Sequence, residues 1–231
     1  MKPHAILFDL DDTLWPIAPV IAEAEVTLHA WLATHAPQVA AQWSIDALRA
    51  HRAELAAAQP ELLIDLGALR RASLQAAFAA AGADASHVDG AMAHFFAARN
   101  AVTPYDDVLP SLLKLRHQVQ LGTISNGNAD LEVIGLAHHF KVSLAAAHFG
   151  KAKPDPAIFR AACAALEVAP RDAVYVGDDL ALDVAGAQAA GLRAVWMNRS
   201  GAALPAGAAV PDAVCASFDE LLAWLEQQLA E

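Results

Sequence analysis

From Ile6 to Leu14 the chain reads Ile-Leu-Phe-Asp-Leu-Asp-Asp-Thr-Leu, an apolar run that gives way to Asp9, Asp11, Asp12 and the hydroxyl of Thr13. A short apolar run bounded by polar residues suits a strand covered on both faces, and ligands of open parallel sheets bind just beyond the carboxyl ends of such strands. Asp9 and Asp11 are therefore expected close together in a crevice. Like charges that close cannot both stay ionised unless a cation lies between them or one keeps its proton. The stretch asks for a divalent metal, for a carboxylate pair split into acid and nucleophile, or for both. Taken alone, the same residues also read as a helix cap or a turn.

Three further polar strand ends change that balance: Ser125, Lys153 and Asp178, each chemically complementary to the first. Together they form four motifs, Asp9-Leu10-Asp11-Asp12-Thr13, Thr123-Ile124-Ser125-Asn126-Gly127, Lys153-Pro154-Asp155, and Gly177-Asp178-Asp179 through Asp183. This set resembles the haloacid dehalogenase-like (HAD) hydrolase superfamily, in the right order and across the whole chain. The resemblance implies an enzyme, a phosphomonoester hydrolase working on a small phosphorylated metabolite through an aspartyl-phosphate.

Such a reaction needs a nucleophile, an acid for the leaving alkoxide, and positive charge around the phosphoryl group. Asp9 is the candidate nucleophile. Asp11, two residues on, is the candidate acid that protonates the leaving oxygen and then activates water. Carboxylate attack on a dianion is repulsive, and hard oxygen ligands without sulfur favour Mg²⁺. By resemblance its ligands are the Asp9 carboxylate, the Asp11 backbone carbonyl and Asp178, with Asp183 in an outer position. Asp179 and Asp183 also read as a turn acid and a helix cap. Ser125 and Asn126 offer hydroxyl and backbone donors to phosphate oxygens, and Lys153 a compact positive charge. Lys151 competes with Lys153, and the family's Lys-Pro-Asp-Pro pattern favours Lys153. Thr13 is expected to bond the turn after the nucleophile.

The elements that must deliver these groups follow from periodicity. Strands are predicted at Ile6–Phe8, Val119–Ile124, Val142–Ala147, Ala173–Val176, Arg193–Met197 and Ala213–Cys215. Core helices are predicted over Val108–His117, Asp130–Leu136, from Pro156 behind an Asp155 cap to Leu166, Asp183–Ala190 and Phe218–Leu229. In the Asp183–Ala190 helix the small residues Ala185, Gly186 and Ala187 would let it lie close to the sheet. Alternating strands and helices specify an α/β fold, a doubly wound parallel sheet. Trp15 to Thr103 contains no strand-like run. It reads as four helices, from Ile17 to a stop at Pro37, Ile45–Ala58 behind Ser44, Leu66–Ala81 ended by Gly82, and Ser86–Val102. The domain boundaries are thus 1–15 and 103–231 for the core and 16–102 for the insert, which by resemblance is a small helical cap.

Composition narrows the classes. A formal net charge of -11 argues against a nucleic-acid partner. No stretch approaches the roughly 18 apolar residues of a membrane span, and no signal-peptide pattern opens the chain, so a cytoplasmic protein is expected. The two cysteines, Cys163 and Cys215, read as core residues, and the ten histidines show no metal-ligand spacing. Oligomeric state is not legible, and the Gly201–Gly207 loop has no readable role.

Three rival activities are weighed. A 2-haloacid dehalogenase shares the nucleophilic aspartate but needs neither leaving-group acid nor metal, and by family pattern its second motif position is not Asp, so Asp11 opposes it. A phospho-accepting signalling domain carries its phosphorylated Asp on a later strand in a chain about half as long, and has no place for the insert. A non-catalytic phosphometabolite-binding protein would not need the complete set Asp9, Asp11, Ser125, Lys153 and Asp178. Ile124 to Leu136, with Asp11-Asp12-Thr13-Leu14 and Gly177-Asp178-Asp179-Leu180, resembles the branch acting on flavin mononucleotide (FMN) and the ribitylaminouracil phosphate of riboflavin synthesis. Trp15, Arg70, Arg71 and Arg99 are candidates to meet a flat heterocycle or a second anion, although arginines on helices are commonly solvated.

Overall fold

The computed structural model describes residues 3–230, which divide into two compact units. Among the described residues, one comprises 3–16, 103–127 and 131–230, and the other 17–102 with 128–130.

The first unit is built on a parallel six-stranded sheet: β1 (Ala5–Phe8), β2 (Gln120–Ser125), β3 (Val142–Ala145), β4 (Ala173–Gly177), β5 (Arg193–Met197) and β6 (Ala213–Cys215). Their order is β3-β2-β1-β4-β5-β6, so the sheet grows one way from β1 and then resumes on its other side with β4. That reversal opens a crevice between the ends of β1 and β4, where open α/β sheets bind ligands. Every residue of β1 and β4 is buried, as expected for strands covered on both faces. Phe8 lies in register with Val176, so Asp9 follows β1 beside Gly177.

Two chain segments depart from the predicted pattern near the site. After β3 the chain turns at once into a short helix, Ala146–Phe149, where a longer strand was expected, and Gly150 ends it at φ +84. The expected helix at Asp130–Leu136 shrinks to one turn, Leu131–Ile134. Asp155 caps the following helix, Pro156–Ala165, accepting from the Ala157 amide at 2.8 Å, as predicted. Gly186, on the short helix Gly186–Ala190, sits so near Phe159 that a Cβ would come within 2.8 Å of its ring. Small residues there do permit close packing, with Phe159 of the neighbouring helix as the partner. Cys163 and Cys215 are buried and unbridged, and burial raises both thiols to about 11, which suits inert core residues.

The second unit is helical, with α1 (Ile17–His35), α2 (Pro37–Gln42), α3 (Ile45–Ala58), α4 (Leu66–Ala80) and α5 (Val88–Arg99). Four helices were expected and the described residues form five: Pro37 ends one helix but opens another, because proline fits the first helical position. Ser44 caps α3 by accepting from Ala47 N at 3.1 Å. The apolar faces of these helices meet around Leu28, Leu32, Phe78 and Phe95.

Glu25 is buried in this unit, and an unpaired buried carboxylate would be costly. Arg49 at 2.5 Å, Arg70 at 3.6 Å and the hydrogen-bonded Arg52 surround it. Arg70 also lies 3.6 Å over the Phe95 ring, and burial lowers its guanidinium to about 9. Arg99 is buried too and donates to Asn128 Oδ1 at 3.2 Å. The solvated reading of helix arginines thus fails for Arg70 and Arg99 and holds for exposed Arg71, paired with Asp89. No helix among the described residues is long and apolar enough to cross a membrane.

Close packing at Gly122 gives a test of the sheet. A Cβ there would lie 2.6 Å from Val142 Cγ1 and 2.8 Å from Leu7 Cδ2, in contact with both neighbouring strands. Gly122→Ala is expected to destabilise the protein by about 1–3 kcal/mol through overpacking, read as a lower urea midpoint with an unchanged slope.

Candidate active site

The ends of β1, β2 and β4 and the loop that follows the Ala146–Phe149 helix each contribute one part; Lys153 was expected at a strand end and sits in that loop instead. Asp9 continues the chain beyond β1, its amide donating to Val176 O at 2.9 Å, and its residue is 7% exposed. Lys153 arrives from the loop before the Pro156 helix, across 144 residues of sequence, and its Nζ donates to Asp9 Oδ1 at 2.5 Å. The same ammonium donates to Asp183 Oδ1 at 2.6 Å and to the Tyr175 hydroxyl at 3.1 Å, so its three N–H bonds all have partners.

Asn126 fixes the lysine loop. Its Oδ1 accepts from Lys153 N at 2.8 Å and its Nδ2 donates to Lys153 O at 3.0 Å, a two-point clasp between the end of β2 and the loop. Ser125 is buried at the same strand end, its Oγ accepting from Gly127 N at 2.9 Å. Lys151, the competing lysine, is exposed and pairs with Asp155 at 2.9 Å.

Asp178 follows β4 and is half-buried. Its Oδ1 accepts from Thr13 Oγ1 at 3.3 Å, and its carbonyl accepts from the Trp196 indole at 2.8 Å. Thr13 was expected to bond its own turn; with its side chain fully buried it reaches the second acid instead. Beyond Asp178 the chain makes a wide π turn, Leu180–Ala185, in which the Val184 amide donates to Asp179 O. This turn carries Asp183 back, so that its Oδ2 accepts from Asp179 N at 3.0 Å. Asp179 is the cap of the turn, accepting from Ala181 N and Leu182 N. Gly177 makes room for Asp183, since a Cβ there would fall 2.3 Å from the Asp183 Cγ.

Asp9, Asp178 and Asp183 each offer a carboxylate oxygen within 4.8 Å of the others. Three carboxylates therefore crowd one ammonium. Burial pushes the Asp9 carboxyl well up; Lys153 pulls it back, while Asp183 and Asp178 add to the rise. Asp178 is raised to about 6, by burial first and then by Asp183 and Asp12. Burial alone would lower Lys153, but Asp9 and Asp183 outweigh it and hold the ammonium above the usual lysine range. The donors are hard oxygens, the set that suits a divalent cation such as Mg²⁺.

Asp11 contributes differently. Its Oδ1 accepts from the Trp15 indole N–H at 2.8 Å, and Trp15 is fully buried. Trp15 thus contacts the acid and is not exposed to meet a heterocycle, as the sequence had suggested. Two further participants went unread: Tyr175, whose hydroxyl touches Lys153 and lies 3.2 Å from Asp183 Oδ1, and Trp196 under Asp178. A hydroxyl in the otherwise apolar Ala-Val-Tyr-Val run was the available signal for Tyr175.

The family pattern described as haloacid dehalogenase-like hydrolase matches residues 3–191. Among curated relatives, the 5-amino-6-(5-phospho-D-ribitylamino)uracil phosphatase YigB of Escherichia coli (strain K12) is 32% identical over 198 residues, covering 84% of this chain and 83% of the relative. A glyceraldehyde 3-phosphate phosphatase of Methanopyrus kandleri is 31% identical over 84% of each chain. Among solved structures, one described as 2-haloacid dehalogenase from Pseudomonas syringae pv. Tomato DC3000 superposes with a TM-score of 0.90 and 38% identity, covering 98% of this chain and 99% of the other. The sheet order, the convergent strand ends and these matches together make the chain a member of the haloacid dehalogenase-like hydrolases.

Proposed function

We propose that the protein is a Mg²⁺-dependent phosphatase that transfers the phosphoryl group of a small phosphorylated metabolite to Asp9 and then to water. The observation that carries this reading is the charge imbalance, three converging carboxylates against the single ammonium of Lys153. A doubly negative phosphoryl group enters such a site only if a cation joins it.

In this reading Asp9 attacks phosphorus, and Asp11 gives its proton to the departing oxygen and later takes one from the attacking water. Lys153 neutralises phosphoryl oxygens, its position fixed by the Asn126 clasp, with Ser125 as a further donor. Mg²⁺ would be held by Asp9, the Asp11 carbonyl and Asp178, and would supply charge neutralisation at the phosphoryl oxygens. Asp183 serves from outside, because one of its oxygens faces Lys153 and the other the Asp179 amide.

The ribitylaminouracil phosphate named for the Escherichia coli relative heads the substrates to try, with FMN beside it. A second reading, 2-haloacid dehalogenase, is favoured by the 38% identity to the Pseudomonas structure. Halide leaves without an acid and a haloacid carries one negative charge, so neither Asp11 nor a third carboxylate has work in that reaction.

The decisive assay follows phosphate release from p-nitrophenyl phosphate with and without Mg²⁺, beside chloride release from 2-chloropropionate. Metal-dependent phosphate release is expected; chloride release without it would reverse the reading. Asp9→Asn is expected to lower phosphate turnover by at least about a thousandfold. Asp11→Asn should slow both steps while the metal still binds. Metal affinity should also depend on pH. Asp178, raised to about 6, must lose its proton to hold the ion. Below that pH, Mg²⁺ binding measured by calorimetry should weaken by up to about tenfold per unit, with proton uptake by the buffer.

A further inference from the structure

We propose that Trp15 is a positioning residue for the general acid: its indole N–H holds Oδ1 of Asp11 and thereby fixes the orientation of the carboxyl group that transfers the proton. The inference rests on the phosphatase reading and extends it to a side chain with no reactive group of its own.

The loop after Asp9 is folded to create this contact. Asp12 takes the left-handed conformation at φ +58, its amide donates to Trp15 O at 2.7 Å, and the Leu14 amide donates to Leu10 O at 2.8 Å. The chain from Leu10 to Trp15 therefore doubles back within one turn, and the indole reaches Asp11 at 2.8 Å. Trp15 is fully buried, so its N–H requires a partner, and the partner it has is a carboxylate oxygen.

An indole nitrogen donates and never accepts. Oδ1 of Asp11 consequently faces a fixed hydrogen, and a proton placed on Oδ1 along that line would oppose it. As an Asp9 oxygen bonds to phosphorus, the bond from phosphorus to the alcohol oxygen breaks, its electron pair stays on that oxygen, and the Asp11 proton moves to it. On the return step Asp11 takes one proton from water as the water oxygen bonds to phosphorus and the phosphorus–oxygen bond to Asp9 breaks, its electron pair returning to the Asp9 carboxylate. A carboxyl free to rotate would present its proton in several directions, and the indole N–H restrains that rotation.

The experiment exploits the leaving group. p-Nitrophenolate departs without a proton, whereas an alkoxide needs one, so loss of aim falls selectively on alkyl esters. kcat/KM is measured for glycerol 2-phosphate and p-nitrophenyl phosphate, with Mg²⁺, in the wild type, Trp15→Phe, Asp11→Asn and the double variant. Trp15→Phe is expected to lower the alkyl-to-nitrophenyl ratio by roughly tenfold or more, and to add nothing to that ratio in the Asp11→Asn background. A benzothienyl analogue of tryptophan at position 15 keeps the bicyclic shape without the N–H, and should give the same fall should Trp15→Phe fold poorly. Equal losses on both esters in these variants, with an active wild type, would overturn the Trp15 assignment and leave the phosphatase reading standing. A wild type inert toward both esters would overturn the phosphatase reading and this inference with it.

Discussion

Everything at the site follows from an imbalance of buried charge. Asp9, Asp178 and Asp183 bring their oxygens within 4.8 Å of one another, and among the described residues the ammonium of Lys153 pairs with two of them, Asp9 and Asp183. In a low dielectric such repulsion is strong, and the chain answers it in two ways. Burial and the neighbouring carboxylates hold Asp9 and Asp178 above the usual carboxylate range, so the charged forms are disfavoured there. Lys153 spends all three N–H bonds inside the site, two of them on carboxylates. In the proposed reading, an arrangement this unfavourable by itself would become favourable when a divalent cation and a phosphoryl group enter together, the cation drawing on the carboxylates and the phosphoryl oxygens on the lysine.

Holding like charges together requires a stiff frame, and the frame is made largely of main-chain and neutral groups. Val176 O anchors the Asp9 amide, the Trp196 indole anchors the Asp178 carbonyl, and the Asp179 amide anchors Asp183. Asn126 spends its whole side-chain amide on the two backbone groups of Lys153. Gly177 contributes by what it lacks, since any side chain there would occupy the space of the Asp183 carboxylate. Neutral donors add no net charge to the site, so the frame can be rigid without cancelling the field that the chemistry needs.

The fold was legible to within a few residues because its signals are local: apolar runs for strands, Ser44 and Asp155 as caps, glycines at the ends of helices. Asp9 and Asp178 were legible because each directly follows a strand, and Lys153 because it opens the Lys-Pro-Asp-Pro pattern, although the helix Ala146–Phe149 separates it from the strand end where it was expected. What escaped were contacts without a local signature. Thr13 meets Asp178 across 165 residues, and Tyr175 and Trp196 meet the site from strands whose periodicity says only that they are buried. Trp15 was misread for a related reason. An aromatic residue beside a catalytic motif suggests a binding surface, yet here a left-handed residue at Asp12 folds the ring back on Asp11. The burial of Arg70 and Arg99, expected either to meet a ligand or to be solvated, was not legible because Glu25 and the acceptor Asn128 lie far from them in sequence.

Likeness to a structure described as a dehalogenase and to proteins named as phosphatases is what a shared fold predicts, because function resides in the groups grafted on it. In the proposed reading both reactions begin with a carboxylate attacking an electrophilic centre, so both would draw on Asp9 and Lys153. They part at the leaving group and at the charge of the electrophile. Halide is stable as it departs and a haloacid carries its single charge away from the reacting carbon, so extra carboxylates would only repel it. A phosphate ester presents two charges at the reacting atom and releases a strongly basic oxygen. A second acid held by an indole N–H, and carboxylates in excess of the available cations, answer those two demands. Overall identity averages over the whole chain, whereas the choice between the reactions rests on these few groups, and here they favour phosphate.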